Sequence, residues 1–349
     1  MIVRLINTTI MAKQELYFPE DQSEEACLEA INIDPLFLCL VENQTEEICL
    51  AAIRKCADVL FLIKDPSERV CLEAIRQNAS VLSCIKNQTE IMCLEAVKKD
   101  NMTLQFVKNQ TEEICIEAVR QDGDALCGVK NQTRKICIEA VRQNGLILGL
   151  VKDQTEEICL EAVKQNGFAL PYVIDQSEEI CLEAVKQDWR AFKYVKNQTR
   201  EICLEALRAN GLVLFHVENK TEEMCIEAVR QNGSALTHVE NQTEVICIEA
   251  VKRNPTALLH VREPGVRLSA SVPSTGLDEG FSRGTTQTEE ICLAAVKGKY
   301  GMIRYVKNQT LEICIQAIYS DPKCLRYIRD LEMRQICEKY LEDKRLEKK

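Results

Sequence analysis

The chain has 349 residues, 46% of them hydrophobic but only 5% aromatic, 28% charged, and a formal net charge of -10. That balance describes a soluble chain with a core of small aliphatic side chains, and it excludes wholesale disorder. Apolar runs such as Val59-Leu60-Phe61-Leu62-Ile63 stop far short of the roughly 20 residues a membrane helix needs.

The start, Met1 to Lys13, has no long apolar stretch with a small-residue cleavage site, so it reads as ordinary chain rather than a secretory signal. Leu16, Tyr17 and Phe18, ahead of Asp21-Gln22-Ser23, align with the tail of a repeat, which makes 1–20 a partial N-terminal cap. From there cysteine keeps time. Cys27, Cys49, Cys71, Cys93, Cys115, Cys137, Cys159, Cys181, Cys203, Cys225 and Cys247 follow at intervals of 22 residues, and Cys292 and Cys314 resume the interval after a break.

Four residues before each of these cysteines stands Ser or Thr (Ser23, Thr45, Thr155, Thr310), a hydroxyl suited to cap a helix start. Glutamates follow, as in Glu156 and Glu157, and Lys or Arg stands near the end, as in Arg142 and Lys164, matching the helix dipole. The helix closes on Asp or Asn followed by Gly or Pro, as in Asn144-Gly145, Asn210-Gly211 and Asp321-Pro322. The signals predict a helix of about 10–12 residues. Its apolar stripe, for example Ile158, Cys159, Ala162 and Val163, marks a buried face, and small Cys and Ala let a neighbouring helix approach closely. Leu eleven and Val or Ile fourteen residues after the cysteine, as in Leu148 and Val151, predict a short second helix.

A single unit buries too little apolar surface to fold alone, so the copies must stack. The predicted fold is an all-α solenoid of 22-residue helix-turn-short-helix repeats. A continuous lipid-binding amphipathic helix of 11-residue periods would have to absorb Gly or Pro in nearly every copy, at about 1 and 3 kcal/mol each. A leucine-rich repeat needs a strand with alternating leucines, which the helical spacing here does not offer.

Eleven copies occupy 21–260. Between 261 and 287 the register breaks and the sequence turns to Pro, Gly, Ser and Thr, which reads as a loop or linker. Two further repeats fill 288–330. Residues 331–349 read as a capping helix and charged tail: Ile336-Cys337 repeats the pattern, but Tyr340 stands where Ala would be and Leu341 where Val would be.

Little else in the sequence suggests chemistry. Stacked helices lie about 8–10 Å apart, too far for neighbouring cysteines of the column to pair or share a zinc ion, so the column reads as buried small apolar residues. The histidines, His216, His238 and His260, share one repeat position and are likewise too far apart to hold one ion. Asn-Gln-Thr, as at Asn43 and Asn109, matches a glycosylation acceptor, but its Thr is already accounted for as a cap. Interleaved Lys and Arg under a net negative charge give no phosphate-tracking stripe. The expectation is a non-enzymatic chain with no metal or cofactor, no nucleic-acid or membrane partner, and a reducing, cytoplasmic setting rather than secretion.

The unit L-E-A-V-K-Q-N-G-x-A-L, at Leu160 to Leu170 and nearly at Leu182 to Phe192, resembles repeats of uncharacterised α-helical proteins of giant DNA viruses that infect amoebae. The resemblance runs over about residues 16–341, with a shorter connection than the usual unit and the irregular 261–287 segment as departures. It implies a viral or amoebal origin and an interaction role, and it carries over no catalytic residues.

Positions nine, twelve and thirteen after the cysteine vary most, and variation along one edge of a fixed frame is where a partner is recognised. The residues expected to bind a partner protein are Phe168, Tyr172, Arg190, Lys193, Tyr194, Phe215, His216, His238, His260, Tyr305 and Tyr327. Self-association into a virion or filament component is the alternative. Mild proteolysis should cut first within 261–287, visible as two fragments by mass spectrometry, whereas first cuts elsewhere would remove the linker reading.

Overall fold

The structure, a computed structural model, describes residues 21–262 and 286–346. The cap expected at 1–20 and nearly all of the linker expected at 261–287 lie outside the described residues. The chain divides into two compact units, Met1–Ile174 and Asp175–Lys349. Among the described residues there is no strand.

The first unit holds the long helices Glu24–Ile33, Glu46–Lys55, Glu68–Gln77, Glu90–Lys99, Glu112–Gln121, Arg134–Gln143 and Glu156–Gln165, each packed on the next. The second holds Glu178–Gln187, Arg200–Ala209, Glu222–Gln231, Glu244–Arg253, Glu289–Gly298, Leu311–Ser320 and the terminal Leu331–Leu346. Helix Glu289–Gly298 packs directly on Glu244–Arg253, so the stack continues across the interruption in the sequence. The fold is an all-α solenoid.

Most turns are assembled by two side-chain caps, Cys56 and Lys299 being the positions where the second is missing. The hydroxyl oxygen of Ser or Thr accepts from the backbone three residues on, as Thr155 does from Ile158 at 3.4 Å, and starts a long helix of ten residues. The Asp or Asn that ends the helix has extended backbone, φ -153° and ψ 113° at Asn166, and its side chain accepts from Phe168 at 3.0 Å. One residue thus closes the long helix and opens the short one.

The short helix is a six-residue 3-10 helix, as at Gly145–Leu150. Gly145, Leu148 and Val151 are buried and lie three residues apart, which is one face of a helix with three residues per turn. Pro35, Pro255 and Pro322 fit at its first position, where the missing N–H has no helical partner to lose. Inside, Ile158, Cys159, Ala162 and Val163 are at most 3% exposed, and the same four positions are buried in the turns from Glu46–Lys55 to Leu311–Ser320.

The long helix closes on Asp or Asn as expected, and the glycine that follows has a steric reason. Gly123, Gly145, Gly211 and Gly233 do not take the left-handed conformation. They are there because the next turn comes so close: a methyl group at Gly211 would lie 2.1 Å from the Ala228 carbonyl oxygen, and one at Gly145 2.4 Å from that of Ala162. That approach lets the glycine N–H reach a side chain of the following turn, Gly211 to Gln231 Oε1 and Gly145 to Gln165 Oε1, both at 2.7 Å.

The strongest link between turns is the glutamine five residues before the cysteine. In the second unit Gln242 Nε2 donates to the Leu236 and His260 carbonyls at 3.2 and 3.0 Å, and Oε1 accepts from Arg262 N–H at 2.9 Å. In the first, Gln110 joins Leu104, Gly128 and Lys130 in the same way. The cysteine thiol adds a weak donor to the same oxygen, 3.7 Å from Cys159 Sγ to Gln154 Oε1 and 4.0 Å from Cys247 Sγ to Gln242 Oε1. The amide's donors and acceptor are therefore engaged on both sides of the joint. Pro66 and Lys220 replace the glutamine in two turns.

A second rail joins the caps. The hydroxyl that caps one helix donates to the first glutamate of the helix before it, at 2.9 Å for Thr111 to Glu90 and 3.0 Å for Thr243 to Glu222. Thr310 does the same to Glu289.

Gln242→Leu leaves two carbonyls and an N–H without their partner, and should cost about 2–3 kcal/mol in denaturant unfolding. Gly211→Ala should cost about 1–3 kcal/mol by overpacking. Gly301→Ala, where an added methyl meets nothing within 4 Å, should be neutral within about 0.5 kcal/mol. Equal costs for the two alanines would refute the close-approach account.

Candidate functional site

With positions ten, eleven and fourteen after the cysteine turned inward, the short helices present positions nine, twelve and thirteen outward. This edge carries every one of the residues expected to bind a partner, and the two units present different versions of it.

In the first unit Tyr172 is 49% exposed and Phe168 half-buried. The edge there is otherwise apolar or small, with Phe61, Met102, Leu146 and Leu150 exposed. Across its seven turns the three positions hold two acids, Asp58 and Asp124, and no Lys or Arg. Three cysteines outside the buried column, Cys39, Cys84 and Cys127, also lie exposed along it.

In the second unit the same positions hold Arg190, Lys193, Arg304, Lys323 and Arg326, all three histidines, and no acid. The Arg190 guanidinium is exposed and is held by its own cap, Asp188, at 2.7–3.1 Å. The Lys193 ammonium lies over the Tyr194 ring at 4.6 Å, and the Arg304 and Arg326 guanidinium groups lie over Tyr305 and Tyr327 at 4.5 and 4.7 Å. Tyr305 is exposed, while Tyr194 and Tyr327 are half-buried.

The most exposed large apolar side chain among the expected residues is Phe215, at 64%. Its ring meets His216 edge-on at 5.1 Å and His238 of the next turn at 5.3 Å. His216 and His260 are exposed and His238 half-buried. Burial, helped by Lys220, His216 and Arg262 around it, lowers the pKa of His238. The sequence reading missed Leu212 and Leu259, which stand 41% and 52% exposed on this edge; their repeat position was the signal that could have found them.

Bordering the edge at Leu212, an open groove of about 610 Å³ lies where the long helices of the second unit hand over to the short ones, lined by Trp189, Asn210, Leu212, Asn232, Arg253 and Asn254. The exposed flank of the long helices carries charge ladders, such as Arg120, Glu139, Arg142 and Glu161, with 2.7 Å contacts between turns. Arg120 holds the Glu139 carboxyl below its usual range. Among the described residues no group of three or more His, Cys, Asp or Glu side chains comes together as a metal site would require. No helix among them is long and apolar enough to cross a membrane.

A family model described as a domain of unknown function, DUF4116, matches residues 133–176, 155–200, 177–221 and 199–243, together about a third of the chain. The matched stretches begin at Thr133, Thr155, Ser177 and Thr199, the cap hydroxyls of successive long helices, and each covers about two of the 22-residue turns. No curated protein and no solved structure matches the chain.

All nineteen cysteines are thiols. Burial pushes the thiols of the column up, to about 11 at Cys71, Cys181, Cys225, Cys292 and Cys314 and to about 12 at Cys247. A disulfide-exchange reagent at pH 8 should therefore label Cys39, Cys84 and Cys127 rapidly and the column only after unfolding, as peptide mapping would show. A thiol whose pKa is raised by folding contributes stability below the unfolded value of about 9 and loses it as pH climbs through 11–12. Thermal midpoints should accordingly begin to fall above about pH 9.

Proposed function

We propose that the chain is a non-enzymatic scaffold that binds a partner protein along the outward edge of its short helices. The observation that carries this reading is the contrast between positions within each turn. The cysteine, the alanine three residues on and the cap hydroxyl recur from turn to turn, while positions nine, twelve and thirteen are outward and change. In a solenoid, side chains that do not hold the stack are free to be chosen for recognition. Exposed Tyr172, Tyr305 and Phe215 supply the aromatic anchors that dominate binding energy at interfaces. The reading includes no cofactor, no nucleic acid and no membrane among the partners. A viral or amoebal origin, carried only by the Leu160–Leu170 motif, would place the partner in the infected cell.

The experiment is affinity capture with mass spectrometry, comparing the wild-type chain with Tyr172→Ala, Tyr194→Ala and Phe215→Ala combined. A stoichiometric protein captured by the first and lost from the second, at unchanged helical content, is the expected result. Recovery of the chain alone, with light scattering that rises with concentration, would replace this reading by self-assembly into a structural component.

A further inference from the structure

The last two short helices, Tyr300–Tyr305 and Pro322–Tyr327, differ from the rest of the edge in charge and in order. They carry Arg304, Lys323 and Arg326 outward, in a chain whose net charge is -10. Among the described residues no carboxylate lies within ion-pair distance of these three side chains, whereas Arg190 on the same edge is neutralised by Asp188. The cap position reinforces the difference. Lys299 stands where nearly every other turn has Asp or Asn, and it makes no side-chain cap to the short helix it precedes.

The two arginines are also held in place. Each guanidinium lies over the ring of the tyrosine that follows it, at 4.5 Å for Arg304 and 4.7 Å for Arg326. Both side chains are exposed, and a guanidinium lying over a ring can take a carboxylate at its N–H edge through two parallel hydrogen bonds. The two short helices pack against each other, so the two arginine–tyrosine pairs repeat along the edge. Neighbouring helices in a stack lie about 8–10 Å apart, and an extended peptide advances about 3.3 Å per residue. One step of the stack therefore corresponds to about three peptide residues.

We propose that the edge formed by Tyr300–Tyr305 and Pro322–Tyr327 binds an extended acidic segment of a partner protein, with carboxylates about three residues apart seated on Arg304 and Arg326. This deepens the scaffold reading and rests on it. The complementary charge is what selects the occupant: the corresponding edge of the first unit, with Asp58 and Asp124 and no Lys or Arg, repels such a segment.

The test uses the full chain and a fluorescein-labelled peptide of Glu-Ala-Ser repeated four times, followed by anisotropy at several salt concentrations. Saturable binding that weakens with salt is expected. The double variant Arg304→Gln, Arg326→Gln should weaken it about tenfold, and Met102→Ser in the first unit should leave it unchanged. Both arginines are exposed, and circular dichroism verifies that the variant is folded. If Arg304→Lys, Arg326→Lys restores only part of the affinity, the two-bond geometry is supported; full restoration would overturn that geometry.

Unaltered affinity in the glutamine variant overturns the site. Binding of a single-stranded oligonucleotide in place of the peptide overturns the choice of occupant. Failure of the peptide to bind while a captured partner is still lost from the Tyr172, Tyr194, Phe215 variant removes this inference and leaves the scaffold reading standing. Failure of both experiments removes both.

Discussion

Every joint in this array is a place where backbone groups of two turns meet, and at most joints the glutamine five residues before the cysteine satisfies them, Pro66 and Lys220 standing in its place at two. Gln242, 1% exposed, spends both amide hydrogens on carbonyls and its oxygen on an N–H, so its removal leaves buried and part-buried backbone groups without their partner. The cysteine thiol approaches the same oxygen and thereby favours one orientation of the amide over its flipped form. Cysteine at this point thus serves twice, as a side chain small enough for close helix packing and as a weak donor that keeps the staple in register.

Much of the remaining design follows from the closeness these staples impose. The alanine three residues after the cysteine is 0–3% exposed in every described turn because the neighbouring helix leaves no space for more. Glycine opens several short helices because the carbonyl of the next turn lies within 2.1–3.0 Å of where a methyl would sit. The cap hydroxyls, already accepting from their own helix, turn their hydrogens to a glutamate of the preceding turn. Stability is therefore concentrated on inward and joint positions, and the outward face of the short helix is left almost free of structural duty. That freedom has been used differently in the two units: one edge is apolar and faintly acidic, the other basic and aromatic.

Much of this was legible because a periodic sequence reports its own constraints. The 22-residue interval, the cap hydroxyls, the helix stripe and the spacing of Leu148 and Val151 all reappear in the structure where the sequence places them. The second helix proved to be a 3-10 helix, which the three-residue spacing of Gly145, Leu148 and Val151 already encodes. The outward edge was identified correctly as a surface, but the state of each residue on it was not. That Asp188 holds Arg190, that Arg304 lies over Tyr305 and that Phe215 meets His238 depend on side-chain paths within and between turns, which no single repeat reveals.

By itself, then, the sequence determined the repeat length, the helix boundaries, the inward face and the class of fold, because each rests on local capping and on periodic burial within one turn. The role of the glutamine was decided only by tertiary structure, since its partners lie six residues back and eighteen and twenty residues ahead, in neighbouring turns. The reason for the glycines was decided there too. A glycine after an asparagine suggests a left-handed backbone when only the chain is in view, and a steric contact once the next turn is laid against it. The same holds for the continuity of the second unit, where Glu289–Gly298 packs directly on Glu244–Arg253 although the register of the sequence breaks over 261–287. Sequence period sets what each turn is; the distance between turns sets what its side chains can touch.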